Sequence, residues 1–194
     1  MNEETELIAE DLKRACEVLH RGGMILYPTD TIWGIGCDAT NEESVRRVYV
    51  LKQRTDHKAM LVLIDSLAKL NSYVSDVPDI AWDLIEISDK PLTIIYPNAQ
   101  NIAFNLLGED GSVGIRITNE RFSRELCKLF RKPIVSTSSN ISGLPSPSLF
   151  VEIAEAIKSG VDYIVRYRQN EKVSANPSGI IKLTEDGCIQ IIRE

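Results

Sequence analysis

The sequence predicts an α/β domain built on a mixed sheet, and three observations carry that prediction. Short segments of strand length, at 24–27, 60–64, 92–96, 113–117, 133–137 and 163–165, alternate with stretches of helical periodicity. The last stretch, 179–192, reads as a hairpin with its turn at Asp186-Gly187, which puts antiparallel strands beside parallel ones. At 194 residues, 43% hydrophobic and 26% charged, the chain is long enough to bury one core, and it shows no internal repeat or low-complexity linker.

The elements follow in order. Leu7, Ile8, Leu12, Ala15 and Leu19 recur at helical spacing, and Gly22-Gly23 stops that helix. Residues 24–27 form a strand ended by Pro28. Thr40 and Glu43 have the spacing of a capping box and predict a helix over 41–53, with Val45, Val48 and Tyr49 facing the core. The uninterrupted apolar run 60–64 reads as a strand buried on both faces. A helix-compatible polar stretch to about residue 88 follows, then the strand 92–96 and a loop with turn chemistry at 108–112. After the strand 113–117, Asn119 is placed to cap a helix to about residue 130, and 133–137 is again a strand. Residues 149–158 predict a helix with Gly160 at its end, and 163–165 a strand before the hairpin. The polar segment 168–178 is the expected mobile loop and the candidate lid of a site.

Composition excludes several functions. With a net charge of −6 the chain does not coat nucleic acid by bulk charge, so contact with RNA or nucleotide requires a local basic patch. Cys16, Cys37, Cys127 and Cys188 form no C-x-x-C pair, and His20 and His57 are the only histidines, so no protein metal site is expected and the thiols read as buried and reduced. Glu3, Glu4, Glu6, Glu10 and Asp11 give the N-terminus the wrong charge for a targeting leader. No apolar run approaches the roughly 18 residues of a membrane helix. A soluble, cytoplasmic protein without membrane partners is expected.

Three segments can carry chemistry. Pro28-Thr29-Asp30-Thr31 ends a strand and precedes Trp33-Gly34-Ile35-Gly36, where small hydroxyls and glycines let a ligand approach the backbone. A tight turn with local hydrogen bonds is the alternative reading. Arg46, Arg47, Lys52, Arg54 and Lys58 place five cations at a helix end, with Arg47 and Arg54 on one face. Such a run is usually solvated, but here it feeds a buried strand, where charge persists only if paired, and phosphate oxygens are natural partners. Ser136-Thr137-Ser138-Ser139-Asn140 follows a strand and suits a carboxylate, an amine or a ribose-phosphate, unless it merely caps the next helix. No histidine stands near those serines in sequence, and neither a P-loop nor a G-x-G-x-x-G fingerprint is present.

Taken together, these residues resemble the YrdC family, the L-threonylcarbamoyladenylate synthases. The matching stretches are Tyr27 to Gly36, Leu51-Lys52-Gln53-Arg54 with Lys58, Pro91-Leu92-Thr93, Gly114-Ile115-Arg116, Ser138 to Gly143 with Pro145-Ser146, and Ile191-Ile192-Arg193. Each is weak alone, but the ordered set is specific. The resemblance implies a single twisted α/β domain over 1–194, with a large concave, positively lined cavity and no added C-terminal domain. It implies synthesis of threonylcarbamoyl-AMP and pyrophosphate from L-threonine, bicarbonate and ATP with Mg²⁺. The product would pass to downstream threonylcarbamoyl-transferase machinery acting beside the anticodon of ANN-decoding tRNAs.

Carried over by position, Thr31, Leu63, Arg116, Ser138 and Ser178 resemble the threonine side, with Leu63 acting through its backbone. Lys52, Arg54 and Lys58 resemble the triphosphate ligands, and Lys52 and Arg54 the catalytic cations. Ser112, Asn140, Ser148 and Arg193 resemble nucleotide contacts. Departures from the family pattern stand at Thr55, Ser88-Asp89-Lys90, Thr118, Gly179 and Lys182. The competing expectation is a non-catalytic member that binds tRNA or double-stranded RNA weakly in translation or ribosome maturation.

Overall fold

The computed structural model describes residues 3–54, 60–173 and 176–193. Nine strands form a mixed sheet in the order β7-β1-β2-β6-β3-β5-β4-β8-β9. These are β1 (Ile25–Tyr27), β2 (Gly34–Gly36), β3 (Leu61–Ile64), β4 (Leu92–Tyr96), β5 (Val113–Ile117), β6 (Ile134–Ser138), β7 (Tyr163–Ile164), β8 (Gly179–Leu183) and β9 (Ile189–Arg193). The pairs β1–β7, β3–β5 and β4–β8 are parallel, and the remaining neighbours are antiparallel. The helices are α1 (Glu3–His20), α2 (Glu42–Leu51), α3 (Ile80–Ile87), α4 (Arg121–Phe130) and α5 (Glu155–Gly160).

α1 and α4 pack together over the sheet, with Ile8, Ala15 and Leu19 meeting the layer of Phe122, Leu126 and Phe130. Asp11 on α1 is fully buried and accepts from Tyr163 Oη (2.7 Å), the Arg166 and Tyr167 amides (2.8 Å each) and Arg166 Nε (2.9 Å). One carboxylate thereby locks the first helix to the chain leaving β7, and its burial is tolerated because four donors surround it. Cys16, Cys37 and Cys127 are buried as expected, whereas Cys188 is exposed in the β8–β9 turn.

β2 was not legible as a strand, because Gly34-Ile35-Gly36 lacks side-chain alternation. Its glycines are instead what allow the close approach. A Cβ on Gly36 would stand 2.6 Å from the Tyr27 ring and 2.9 Å from the Val135 carbonyl, the same carbonyl to which Tyr27 Oη donates at 3.1 Å.

Four boundaries differ from the sequence reading, each for a local reason. Asn41, not Thr40, caps α2: its side chain accepts from Ser44 N at 3.1 Å, while Thr40 is held by Asp38 Oδ1 through both its amide and its hydroxyl. Glu120 rather than Asn119 caps α4, accepting from Ser123 N at 2.7 Å. Residues 65–88 split into a 3₁₀ turn (Leu67–Ser72) and α3, with Pro78 between them. The helix expected over 149–158 breaks as well. Glu152 turns back to accept from Ser148 N and Leu149 N, leaving a 3₁₀ turn (Phe150–Glu152), and extended Ile153 enters the core before α5.

Gly36→Ala is expected to lower stability by about 1–3 kcal/mol, the cost of overpacking against backbone that cannot yield. Urea unfolding of the variant, which should show a lower midpoint at unchanged slope, checks this.

Candidate active site

β6 lies between β2 and β3, and its register builds the centre of the site. Ser138 pairs with Gly34 of β2, and Ser136 pairs with Leu61 of β3. Gly34 and Ser138 both line a cavity of about 230 Å³, and a Cβ on Gly34 would stand 3.2 Å from Ser136 Oγ. β5 follows β3 in the sheet, so Arg116, in register with Leu63, projects into the same cavity. Ser178 precedes β8, its hydroxyl bonded to Thr93 Oγ1 (2.9 Å) and its carbonyl accepting from Arg193 Nε (2.9 Å).

The cavity collects Thr31, Arg54, Arg116, Ser138, Ser178 and Arg193, which the sequence singled out from six separate segments. Its described wall carries three arginines and no carboxylate. Thr31 is fixed by the turn before it: Thr29 Oγ1 accepts from Thr31 N (3.1 Å), contacts Thr31 Oγ1 (3.0 Å) and donates to the Ile32 carbonyl (2.8 Å). Arg116 is 3% exposed; burial pulls its pKa down and Asp30 Oδ1, 3.0 Å from Nη2, opposes that. Burial also lowers the pKa of Arg193. Arg116, held out of water, favours an anionic ligand strongly, because field strength rises as the dielectric falls, whereas Arg54 is half-buried and Arg193 exposed.

The cationic run divides by role. Arg46 pairs with Glu43 in a bidentate contact, and Arg47 bonds the Gly22 carbonyl (3.0 Å) and Asp162 (2.9 Å). Gln53 takes a left-handed φ of 50° that ends α2, so Arg54 leaves the helix axis and does not share a face with Arg47. Arg54 lines the cavity, its guanidinium 5.9 Å from the Tyr49 ring centroid.

Lys52 turns away from the cavity. It is 2% exposed, and its Nζ donates to the carbonyls of Ser138 and, at 2.7 Å, of Asn140, while its own carbonyl accepts from Ser142 N (2.8 Å). Burial, and then the nearby Arg54, brings its pKa down to about 8, although the two carbonyls favour the ammonium. Lys52 is therefore a clamp on the serine segment.

The other predicted residues lie elsewhere. Leu63 is fully buried, and Met60 and Leu61 stand on the cavity wall instead. Ser112 Oγ donates to Asp110 (2.6 Å), which the Lys182 ammonium also holds. Ser148 donates its amide to Glu152. Asn140 lines an adjoining cavity of about 350 Å³ that shares Ser146 with the first; its Nδ2 donates to the Ile141 and Leu144 carbonyls, and its Oδ1 is buried without a partner among the described residues. Lys58, like Thr55 and His57, lies outside the described residues. The segment 168–178, read from sequence as mobile, is tied at its start by Arg168 to the Thr29 carbonyl (2.9 Å) and to Glu171, and Pro177 and Ser178 form cavity wall. Ser174 and Ala175 of that segment also lie outside the described residues. Among residues that sequence reasoning passed over, Met60, Leu61 and Ile180 have no polar signature. Asp30 was visible only as an acid between two threonines.

The family model Sua5/YciO/YrdC, described as "Telomere recombination", matches residues 17–194. The chain belongs to the Sua5/YciO/YrdC family. A curated relative, Threonylcarbamoyl-AMP synthase of Pseudoalteromonas translucida, is 34% identical over 165 residues, covering 84% of this chain and 86% of its own. Among solved structures, a double-alanine variant of P. abyssi Sua5 superposes with a TM-score of 0.85 at 26% identity over 99% of this chain. P. abyssi Sua5 complexed with L-threonine gives 0.80 at 25% identity over 95%. This chain spans 57% and 53% of those two Sua5 chains. Its nine-stranded mixed sheet is the family's twisted α/β fold.

Lys52→Met removes the clamp and should loosen residues 138–142, read as faster amide exchange there. The pH dependence has a defined sign. The folded pKa of about 8 lies below the unfolded value of 10.5, so the contribution of Lys52 is fully present above 10.5 and is lost as pH falls through 8. Wild type should gain on the order of 1–3 kcal/mol relative to Lys52→Met between about pH 8 and 10, measured by urea unfolding at both pH values.

Proposed function

We propose that this chain is an L-threonylcarbamoyladenylate synthase, converting L-threonine, bicarbonate and ATP to threonylcarbamoyl-AMP and pyrophosphate. The observation that carries the reading is the cavity in which Arg54, Arg116 and Arg193 surround Thr31, Ser138 and Ser178 with no carboxylate on the described wall. Support comes also from the relative named as a synthase and from the solved Sua5 that holds L-threonine.

Arg116, with Thr31, Ser138 and Ser178, takes the amino acid; the guanidinium receives the carboxylate and the hydroxyls orient the amine. The threonine nitrogen attacks the carbon of bicarbonate, or of carbon dioxide formed from it. With bicarbonate, hydroxide leaves and takes an amine proton as water; with carbon dioxide, no group leaves and the amine proton passes to solvent. A carbamate oxygen then attacks the α-phosphorus, and the bond to the bridging oxygen breaks as pyrophosphate leaves. This needs alignment and charge compensation more than proton transfer. Arg54 and Arg193 supply fixed positive charge, with Lys58 proposed beside them. Lys52 acts by holding the serine segment, and Asn140 lies where a nucleotide extending into the adjoining cavity would meet it. Ser112, Ser148 and Leu63 receive no substrate contact in this reading.

Mg²⁺ enters with the nucleotide as metal–ATP substrate. No carboxylate of the described wall would hold it, and no cluster of three or more His, Cys, Asp or Glu side chains stands among the described residues. The product would pass to the machinery that modifies the adenosine beside the anticodon in ANN-decoding tRNAs. Direct contact with tRNA or double-stranded RNA would be weak, given a net charge of −6. No helix among the described residues is long and apolar enough to cross a membrane, and we place the activity in the cytoplasm.

Pyrophosphate release should require L-threonine, bicarbonate and Mg²⁺ together and stop with chelator; equal release without threonine overturns the reading. Arg54→Ala should lower kcat/KM for ATP by about 100-fold or more, since phosphate charge in the transition state is left uncompensated. An unchanged value removes Arg54 from the mechanism.

A further inference from the structure

Arg116 enters the anion cavity with its guanidinium almost wholly buried, and one carboxylate stands against it, Asp30 Oδ1 at 3.0 Å from Nη2. Asp30 is not part of that cavity's wall. It belongs to a second cavity of about 310 Å³ floored by Ile115 and Ile117, the residues on either side of Arg116 in β5. Asp30 therefore touches the guanidinium from outside the described wall that carries the hydroxyls.

The pair is close but incompletely bonded. Asp30 Oδ1 and Arg116 Nε are both buried and lack a hydrogen-bond partner among the described residues. Orphaned polar atoms on a buried ion pair cost free energy, and a ligand carboxylate accepting from Nε relieves part of that cost. Asp30 cannot easily follow such a ligand. Its turn is pinned by Thr29 Oγ1 on the Ile32 carbonyl and Thr31 amide, and by Arg168 Nη1 on the Thr29 carbonyl. Burial raises the pKa of Asp30; Arg116 and Arg168 oppose the rise and Glu120 adds to it.

We propose that Asp30 is a positioning residue: it fixes the orientation of the Arg116 guanidinium, and so sets how strongly the site prefers a ligand with a carboxylate over the same ligand without one. This rests on the reading of the cavity as an L-threonine site.

The test is calorimetric binding of L-threonine and of L-threoninamide, without ATP, to wild type, Asp30→Asn and Asp30→Glu, with melting curves to verify folding. Asp30→Asn should lower the threonine-to-threoninamide affinity ratio by about tenfold or more, the scale of a misaligned charge-assisted contact. Asp30→Glu, which keeps the charge but lengthens the arm, should retain the fold and lower the ratio about threefold. A general loss of structure would weaken both ligands alike and leave the ratio fixed, so an unchanged ratio in either folded variant overturns the inference. If wild type binds no L-threonine, the reading of the site falls and the inference with it. If wild type binds and the variants keep its ratio, the inference alone falls.

Discussion

The ammonium of Lys52 is the interaction on which the site depends. It joins the end of α2 to the end of β6 by donating to the carbonyls of Ser138 and Asn140, and the Lys52 carbonyl returns the link through Ser142 N. A strand end of four consecutive hydroxyl residues offers little apolar surface to fix it. Hydrogen bonds from a charged donor, about 1.5–3 kcal/mol each, supply the missing restraint. With its carbonyl taken by Lys52, Ser138 keeps its side chain on the cavity wall.

Around that clamp the sheet brings distant residues together by register. β6 carries Ser138 beside Gly34, β3 carries Leu61 beside Ser136, and β5 carries Arg116 beside Leu63. The outer strands close the perimeter, where Arg193 of β9 holds the carbonyl of Ser178 before β8. The charges divide by what they meet: Arg46 and Arg47 serve the surface of α2, Lys52 serves the backbone, and Arg54, Arg116 and Arg193 line the cavity. An adenylate-forming reaction suits such a site, since the developing charge lies on phosphate and carboxylate oxygens and positioned cations answer it directly.

Much of the fold was legible. An uninterrupted apolar run gave β3, as a strand buried on both faces requires, and short runs rich in β-branched residues between turn signals gave β4, β5 and β6 nearly to the residue. β2 was hidden, since glycines chosen for close approach to Tyr27 and Val135 look like a loop. The 149–158 helix failed because Glu152 bonded backward and Ile153 gained more from the core than from helical geometry. In the site, residue type pointed to the segments of Thr31, Arg54 and Ser138, and the family resemblance to Arg116, Ser178 and Arg193, but neither showed what each touches.

By itself the sequence determined which chemical groups are available: hydroxyls after two strands, cations after one helix, an arginine within a strand and another near the end. Those are properties of residue type and order, and local physics suffices to read them. Tertiary structure decided which cations face the ligand and which face the protein. Lys52 and Arg54, two positions apart, diverge because Gln53 takes a left-handed turn that sends one side chain under the serine segment and the other into the cavity. Whether a buried charge meets a carbonyl, a carboxylate or open ligand space depends on partners many residues away, so only the folded chain fixes it.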